Sequence, residues 1–158
     1  MTPEAIRARL WHVGLTVSDL EASIAFYRTV LGARVRHRQE ECTDDFDRLS
    51  GNSGTHVRVA WLEVDGGAFV LQLIQYLAGG DGHLALRHAR VGTAHLSFYV
   101  ADADAAYARL AALGTVTLPG SVNAMGTHGR SFYLHDPDGV PVELWQSTEP
   151  RDRFNRPG

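Results

Sequence analysis

The sequence predicts an α+β fold made of two related modules, each with the element order βαβββ. The first observation behind this prediction is an internal repeat, in which three residues return after the same 83 positions. These pairs are His12 and His95, Val17 and Val100, and Asp19 and Asp102. The second observation is a shared ending, because Leu-Gln-Leu-Ile-Gln at 71–75 resembles Val-Glu-Leu-Trp-Gln at 142–146. We therefore expect one domain over residues 1–150, with modules at about 10–78 and 92–147.

The first module starts with a predicted strand at 11–17, whose alternation puts His12 and Gly14 on one face. A helix follows, since Ser18 and Glu21 form a capping box and Gly32 is a suitable C-terminal cap. Its apolar side chains recur at helical spacing, and they are Leu20, Ile24, Tyr27 and Leu31. The rest of the module is predicted as strands at 33–40, 55–64 and 68–76, an acidic loop at 41–54 and a hairpin turn at 65–67.

The second module repeats this order, with a strand at 93–100 and a helix from Asp102 to Gly114. The remaining predicted segments are strands at 115–119, 129–135 and 140–146, a hairpin turn at 136–139, loops at 77–92 and 120–128, and a polar tail at 151–158. The apolar stripe of each helix needs cover from an apolar strand face. The opposite strand faces, which carry His12 and His95, are therefore expected to point away from the helices.

Composition restricts the chemistry that this chain can perform. All 15 basic residues among the 158 are arginine, so chemistry that needs a lysine amine, such as a Schiff base or a phosphate-loop lysine, is excluded. The single cysteine, Cys42, excludes an internal disulfide and a cysteine-based zinc site, whereas eight histidines favour imidazole and carboxylate ligands. A net charge of -3 and the lack of a long apolar run predict a cytoplasmic protein without nucleic acid or membrane partners.

Four polar residues occupy equivalent strand positions in the two modules, and they are His12, Gln72, His95 and Glu143. Glu143 is unusual because it lies between Val142 and Leu144, where a buried carboxylate is costly without a partner. Taken singly, each residue is compatible with an ordinary hydrogen-bonded strand side chain. Their matching positions favour a joint role, and this donor set suits a divalent ion such as Fe, Co, Ni, Mn or Zn.

Three stretches of the chain resemble the vicinal oxygen chelate superfamily, which includes glyoxalase I, methylmalonyl-CoA epimerase, extradiol dioxygenases, fosfomycin-resistance enzymes and bleomycin-binding proteins. They are H-V-G-L-x-V-x-D-L-x-x-S-I-x-F-Y at 12–27, A-H-L-S-F-x-V at 94–100 and Y-L-H-D-P-D-G-x-P-V-E-L-W-Q at 133–146. The resemblance implies a cupped eight-stranded mixed sheet with helices on its outer face, a metal held by the four equivalent residues, and a homodimer.

The resemblance also implies an activity. The ligand set is similar to those of glyoxalase I and methylmalonyl-CoA epimerase, which implies a lyase or isomerase that chelates an oxygen-bearing small molecule and moves a proton through an enolate or enediolate. Glu143 would be the base. Arg58 departs from the epimerase pattern, because it lies where that enzyme carries a glutamate.

Two alternative functions stay open. The first is an Fe(II)-dependent dioxygenase that uses His12, His95 and Glu143 as its triad. The second is a small-molecule binding protein of the antibiotic-resistance type, against which the intact ligand set argues, since such proteins typically lack it.

Other residues are candidates for acid-base or binding roles near the metal. His56 and Tyr133 are predicted to be catalytic, and Tyr99 and His128 to contact the substrate. Three arginines on neighbouring strands, Arg36, Arg38 and Arg58, would recognise a carboxylate or phosphate group, although a solvated strand face is the simpler interpretation. The remaining histidines are predicted to be surface or turn residues, and they are His37, His83, His88 and His135.

Overall fold

A computed structural model describes residues 6–114 and 120–148 of the chain. The chain divides into two compact units, Met1–Gly82 and His83–Gly158. The first unit contains β1 (Val13–Thr16), α1 (Leu20–Leu31), β2 (Arg34–Glu41), α2 (Asp44–Ser50), β3 (His56–Val64), a one-turn 3-10 helix (Asp65–Gly67) and β4 (Phe69–Ala78). The second contains β5 (Leu96–Tyr99), α3 (Ala103–Leu113), β6 (Asn123–Ala124), β7 (Gly129–His135) and β8 (Pro141–Ser147).

Both units carry a four-stranded mixed sheet with the same topology. The strand orders are β1-β4-β3-β2 and β5-β8-β7-β6, and in each sheet the first strand pairs in parallel with the last. The register is also equivalent, because Gly14 lies opposite Gln72 and Ser97 lies opposite Glu143. The predicted α+β fold class is thereby confirmed.

The core of each unit lies on one face of its sheet. In the first unit the stripe residues Leu20, Ile24 and Tyr27 are buried, and α1 packs against β3 and β4. In the second unit α3 packs against β7 and β8, where alternate strand residues such as Phe132 and Leu144 are buried. Because the helix covers one face of each sheet, the alternate strand residues that point to the other face are available for polar contacts.

The helix ends follow the sequence with one correction. The N-cap of α1 is Asp19 and not Ser18, because the Asp19 carboxylate accepts a hydrogen bond from the Ala22 backbone N–H at 3.0 Å. Glu21 instead forms an ion pair with Arg38, so the predicted capping box is wrong. Gly32 ends α1 in the left-handed conformation with φ 66°, as predicted. The second helix also begins and ends as predicted, with caps at Asp102 and Gly114.

The prediction of a loop at 41–54 is also wrong, because this segment contains α2. Thr43 caps the helix by accepting a hydrogen bond from the Phe46 N–H at 3.2 Å, and Asp44 and Asp45 lie in its first turn, where the helix dipole favours negative charge. Two residues of the predicted loop at 120–128 form β6.

Some predictions fall outside the described residues, namely the strand at 115–119 and the tail at 151–158. In the part of the chain that the structure does describe, no helix has the length and apolar character needed to cross a membrane.

Candidate metal and substrate site

In the first unit, His12 and Gln72 lie on the same face of neighbouring strands. His12 directly precedes β1, and Gly14, two residues on, lies opposite Gln72. A β-carbon on Gly14 would lie 3.4 Å from Oε1 of Gln72. The glycine therefore leaves room for the Gln72 amide to lie over β1, on the face that His12 shares.

The imidazole of His12 lies against two tryptophan rings that stack on each other. Its centroid is 4.9 Å from the Trp11 ring and 4.9 Å from the Trp61 ring, with an edge-to-face arrangement in both contacts. Nδ1 of His12 is buried and has no hydrogen-bond partner among the described residues. A buried polar atom without a partner is costly, and coordination of an ion is one way to compensate for that cost.

In the second unit, Glu143 is a buried carboxylate with 9% of its surface exposed. The Ser97 hydroxyl donates a hydrogen bond of 2.7 Å to its Oε2 atom. Nε2 of His95 lies 4.0 Å from the same oxygen. A single ion fits between these two atoms, because its bonds to nitrogen and oxygen ligands are each about 2.0–2.2 Å long. The residues of this unit therefore suit a divalent metal.

Tyr133 lies directly opposite Glu143 in the β7–β8 pair. Burial raises the pKa of its hydroxyl above the ordinary value, and the negative charge of Glu143 and a hydrogen bond to that carboxylate raise it further. Tyr133 therefore stays protonated at neutral pH, and its hydroxyl donates a hydrogen bond to Glu143. Tyr99 lies on the same strand face, opposite Trp145, and is 39% exposed.

His88 is an exposed turn residue, as predicted, but it also lies beside this site, which the sequence did not indicate. Its ring centroid is 4.5 Å from Tyr133 and 6.4 Å from His95, and His135 lies 6.1 Å away on its other side. The segment at 77–92 has no hydrophobic periodicity that would place His88, so the sequence carried no signal for this contact.

The three arginines predicted to bind substrate are each paired with a glutamate. Arg36 contacts Glu63 at 2.6 Å, Arg38 contacts Glu21 of α1 at 3.1 Å, and Arg58 contacts Glu40 at 3.4 Å. Arg58 lies opposite Gln75 in the β3–β4 pair, whereas Trp61 lies opposite Gln72. Because these pairs are an odd number of residues apart, Arg58 and Gln72 lie on opposite faces of the sheet.

The two remaining predicted residues lie at the ends of strands. His56 begins β3 and contacts the carboxylate of Glu40. His128 precedes β7, and its backbone N–H donates to the Met125 carbonyl at 3.1 Å. The structure thus groups His12 with Gln72 and groups His95, Tyr133 and Glu143, whereas His56 belongs to the Arg58 pair.

No group of three or more His, Cys, Asp or Glu side chains is close enough to hold a metal ion within residues 6–114 and 120–148. Each unit supplies two of the four proposed ligands, and one of those four is the amide of Gln72.

Comparison with known proteins identifies the family. Residues 9–144 match the Glyoxalase/Bleomycin resistance protein/Dioxygenase superfamily. The chain belongs to this superfamily, which confirms the resemblance seen in its motifs.

Two relatives are named as epimerases. The chain is 31% identical over 141 residues to 2-epi-5-epi-valiolone epimerase of Actinomyces sp, a match that covers 84% of this chain and 76% of the relative. It is 33% identical over 144 residues to ethylmalonyl-CoA/methylmalonyl-CoA epimerase of Cereibacter sphaeroides, covering 87% of this chain and 97% of the relative.

Solved structures show the same fold. A glyoxalase family protein from Bacillus cereus has a TM-score of 0.79 at 20% identity, with coverage of 94% of this chain and 99% of that one. The fosfomycin resistance protein FosX from Listeria monocytogenes, solved with Mn(II) and a sulfate ion, has a TM-score of 0.60 at 21% identity, covering 96% of this chain and 100% of FosX.

Proposed function

We propose that this protein is a divalent-metal-dependent isomerase of the epimerase type, which moves a proton at a carbon next to a carbonyl group. The observation that carries the proposal is the buried carboxylate of Glu143, with the His95 imidazole 4.0 Å away and no cationic arginine beside it in the described residues. Such a carboxylate is costly to bury unless it is compensated, and an ion between it and His95 would supply the compensation.

His12, Gln72, His95 and Glu143 would hold the ion. The unsatisfied Nδ1 of His12 and the space above Gly14 support the first pair, and the Ser97 hydrogen bond supports the second. A divalent ion in this position would act as a Lewis acid that polarises the substrate carbonyl and stabilises the negative charge of an enolate. Fe, Ni, Co, Mn and Zn all suit a donor set of imidazole, amide and carboxylate.

The chain's own residues would bind the substrate and move the proton. Glu143 is the proposed base once its carboxylate loosens from the metal, and the hydroxyls of Ser97 and Tyr133 orient that carboxylate. Tyr133 has a raised pKa, so at neutral pH it is protonated and serves as a hydrogen-bond donor rather than as a base. We further propose that Tyr99 contacts the substrate, because it shares the strand face of Ser97.

An arginine could bind an anionic group of the substrate only if it first released its glutamate partner. Of Arg36, Arg38 and Arg58, we propose Arg36 for this role, with Glu63 exchanged for the substrate's anionic group. Arg58 and Arg38, which lies opposite Ala60, are on the sheet face opposite Gln72. His56 would stay a candidate acid or base only if it leaves Glu40. His128 is proposed as a further contact at the start of β7.

The names of the two relatives support an isomerase rather than a lyase or dioxygenase. Both are epimerases, and epimerisation next to a carbonyl is proton removal followed by proton return at the same carbon. We propose a small carbonyl compound with an acidic α-hydrogen as the substrate class, and a homodimer as the working assembly.

The test combines metal analysis with isotope exchange. Protein purified without oxygen should contain about one equivalent of a transition metal, and the variants His12→Ala and Glu143→Gln should lose it, while the matched variant His83→Ala should retain it. In deuterated water, the metal-loaded wild type should exchange the α-hydrogen of 2-alkylmalonyl thioesters or cyclic hydroxyketones. The proposal is overturned if the wild type holds no metal or if no substrate in such a panel exchanges. Oxygen consumption by the iron form without exchange would favour the dioxygenase instead.

A further inference from the structure

We propose that Trp11 and Trp61, here called the tryptophan clamp, are positioning residues that fix the orientation of the His12 imidazole for metal binding. This inference rests on the proposed function, because it assigns a role to two side chains that contact a proposed ligand. It adds to the proposed function by naming the residues that fix the orientation of the His12 ring.

The need for such a clamp follows from the hydrogen bonding of His12. A histidine that binds a metal usually donates its other ring N–H to a carboxylate, a carbonyl or water, and this bond fixes the ring orientation. In His12, the nitrogen proposed to bind the ion is Nδ1, which is buried without a hydrogen-bond partner among the described residues, so no hydrogen bond at that atom holds the ring before the metal binds. Glu143 differs, since Ser97 orients its carboxylate by a direct hydrogen bond. The aromatic neighbours of the ring are therefore the contacts that orient His12 in this proposal.

The aromatic contacts supply that interaction through a stacked pair of indoles on one side of the imidazole. The His12 ring meets Trp11 at an interplanar angle of 77° and Trp61 at 81°. The two indoles stack on each other with centroids 5.6 Å apart and an angle of 25°. Edge-to-face contacts of this kind are favoured, because the positive edge of one ring lies against the negative face of the other. Rotation of the imidazole away from this position would break both contacts.

Trp61 is the fixed member of the clamp. It lies in the middle of β3 opposite Gln72, and its Nε1–H donates to Oε1 of Gln39 at 3.3 Å. Trp11 is 74% exposed and is held mainly by stacking on Trp61. The loss of Trp61 should therefore release both His12 and Trp11, whereas the loss of Trp11 should release His12 only in part.

The experiment measures metal affinity and the state of the metal-free ring separately. Calorimetric titration with Co²⁺ would compare wild type with Trp61→Leu, Trp61→Phe and Trp11→Leu. Tyr107→Ala, which removes an aromatic contact with Phe132 on the helix side of the other sheet, is the control. Loss of a group that orients a ligand typically lowers metal affinity about 10–100-fold. We expect a loss in this range for Trp61→Leu, a smaller loss for Trp11→Leu, and near-complete rescue by Trp61→Phe, which keeps an aromatic ring.

The second measurement is the NMR spectrum of the His12 ring in metal-free protein. Its carbon-bound protons should show ring-current shifts from the indoles, which Trp61→Leu reduces and Tyr107→Ala leaves in place. If wild type and both leucine variants bind Co²⁺ equally, the clamp is refuted and the proposed function stands. If wild type binds no metal but shows the shifts, the proposed function fails while the clamp remains a property of the fold. If wild type shows no such shifts, the clamp is refuted whatever the metal result.

Discussion

The hydroxyl of Ser97 donates a 2.7 Å hydrogen bond to Oε2 of Glu143 across the parallel pair of β5 and β8. The equivalent position in the first unit is Gly14, which lies opposite Gln72 and has no side chain. The proposed ligands on the last strand of each module, Gln72 and Glu143, thus have different neighbours. A carboxylate is oriented by a hydroxyl, whereas a neutral amide is given space.

The first prediction concerns this hydrogen bond. Replacing Ser97 by alanine leaves the Glu143 carboxylate without one of its two hydroxyl donors, so the carboxylate becomes less ordered. We expect Ser97→Ala to lower metal affinity about 10-fold or more, as is typical when a partner of a metal ligand is removed. Calorimetric titration with Co²⁺ would measure this change, and Ser121→Ala is the control because its side chain is exposed on a loop. Equal affinities of Ser97→Ala and wild type would show that Ser97 does not orient the ligand.

Much of the fold could be predicted because the sequence repeat allowed elements of one module to be compared with their counterparts in the other. The correspondence of His12 and His95 in the repeat predicted the positions of β1 and β5. The apolar stripe of α1 predicted a helix that ends at Gly32, and Gly32 has the left-handed conformation expected of a C-terminal cap. Helix α2 was missed because its seven residues bury no side chain, so no apolar stripe indicates it. Capping by Thr43 stabilises α2. A threonine cap is a weak indication of a helix, and the dense acidic residues of this segment favoured the prediction of a loop.

The candidate site could be predicted only where ligands repeat. The four proposed ligands were visible because they occupy matching strand positions, and Tyr133 was visible beside the Glu143 motif. The contacts of His12 with Trp61 and of His88 with Tyr133 were not, because each joins segments about 45 or more residues apart that share no pattern. The ion pairs of the arginines could not be predicted, because their glutamate partners lie on neighbouring strands or, for Arg38, on α1, and are distant in the sequence.

The second prediction concerns Gly129, at the start of β7. A β-carbon at this position would overlap the carbonyl oxygen of Gln146 in the neighbouring strand and approach the Trp145 ring to 3.1 Å. Because the obstacle is backbone, β8 would have to shift. We expect Gly129→Ala to reduce the free energy of unfolding by about 1–3 kcal/mol, the usual cost of overpacking. Urea unfolding would measure it.

Gly120→Ala is the matched control, since no described residue lies within 4 Å of the β-carbon it would add. Its free energy of unfolding should stay within about 0.5 kcal/mol of wild type. If both variants were equally stable, the close approach of β7 and β8 at Gly129 would not hold in solution.

The third prediction concerns pH and Asp47 of α2. Its carboxylate accepts hydrogen bonds from the Gly54 N–H at 2.7 Å and the Thr55 N–H at 3.0 Å, and it also contacts the Thr55 hydroxyl. The Thr55 hydroxyl bond chiefly, and these backbone bonds in addition, hold the pKa of Asp47 below its ordinary value. The folded state therefore favours the ionised form. This stabilisation is complete above the ordinary pKa near 3.8 and is lost as pH falls through the lowered folded value.

Asp47→Asn should therefore weaken the dependence of unfolding on pH below about 4, where the wild type loses this contribution. Thermal unfolding measured between pH 2.5 and 7 would test this expectation, with Asp44→Asn as a control in the same helix. A wild type and an Asp47→Asn variant with parallel profiles over this range would contradict it.

The last prediction concerns how each module starts its main helix. Oε1 of Gln146 accepts a 2.9 Å hydrogen bond from the Ala103 N–H, and the equivalent Gln75 accepts one from the Leu20 N–H at 3.4 Å. These bonds satisfy backbone donors that have no partner inside a helix. The Gln75 amide also donates to the Ser18 carbonyl at 2.9 Å, which ties the strand end to the turn before α1.

Gln146→Ala should lower local stability by about 1 kcal/mol, the typical net contribution of one hydrogen bond at a partly buried site. Amide hydrogen exchange should show faster exchange at Ala103 with no change at Leu20, and Gln75→Ala should give the reverse pattern. Asn52→Ala, in an exposed turn, is the control and should alter neither amide. Exchange at Ala103 that is insensitive to Gln146→Ala would mean that water satisfies this donor as well as the glutamine does.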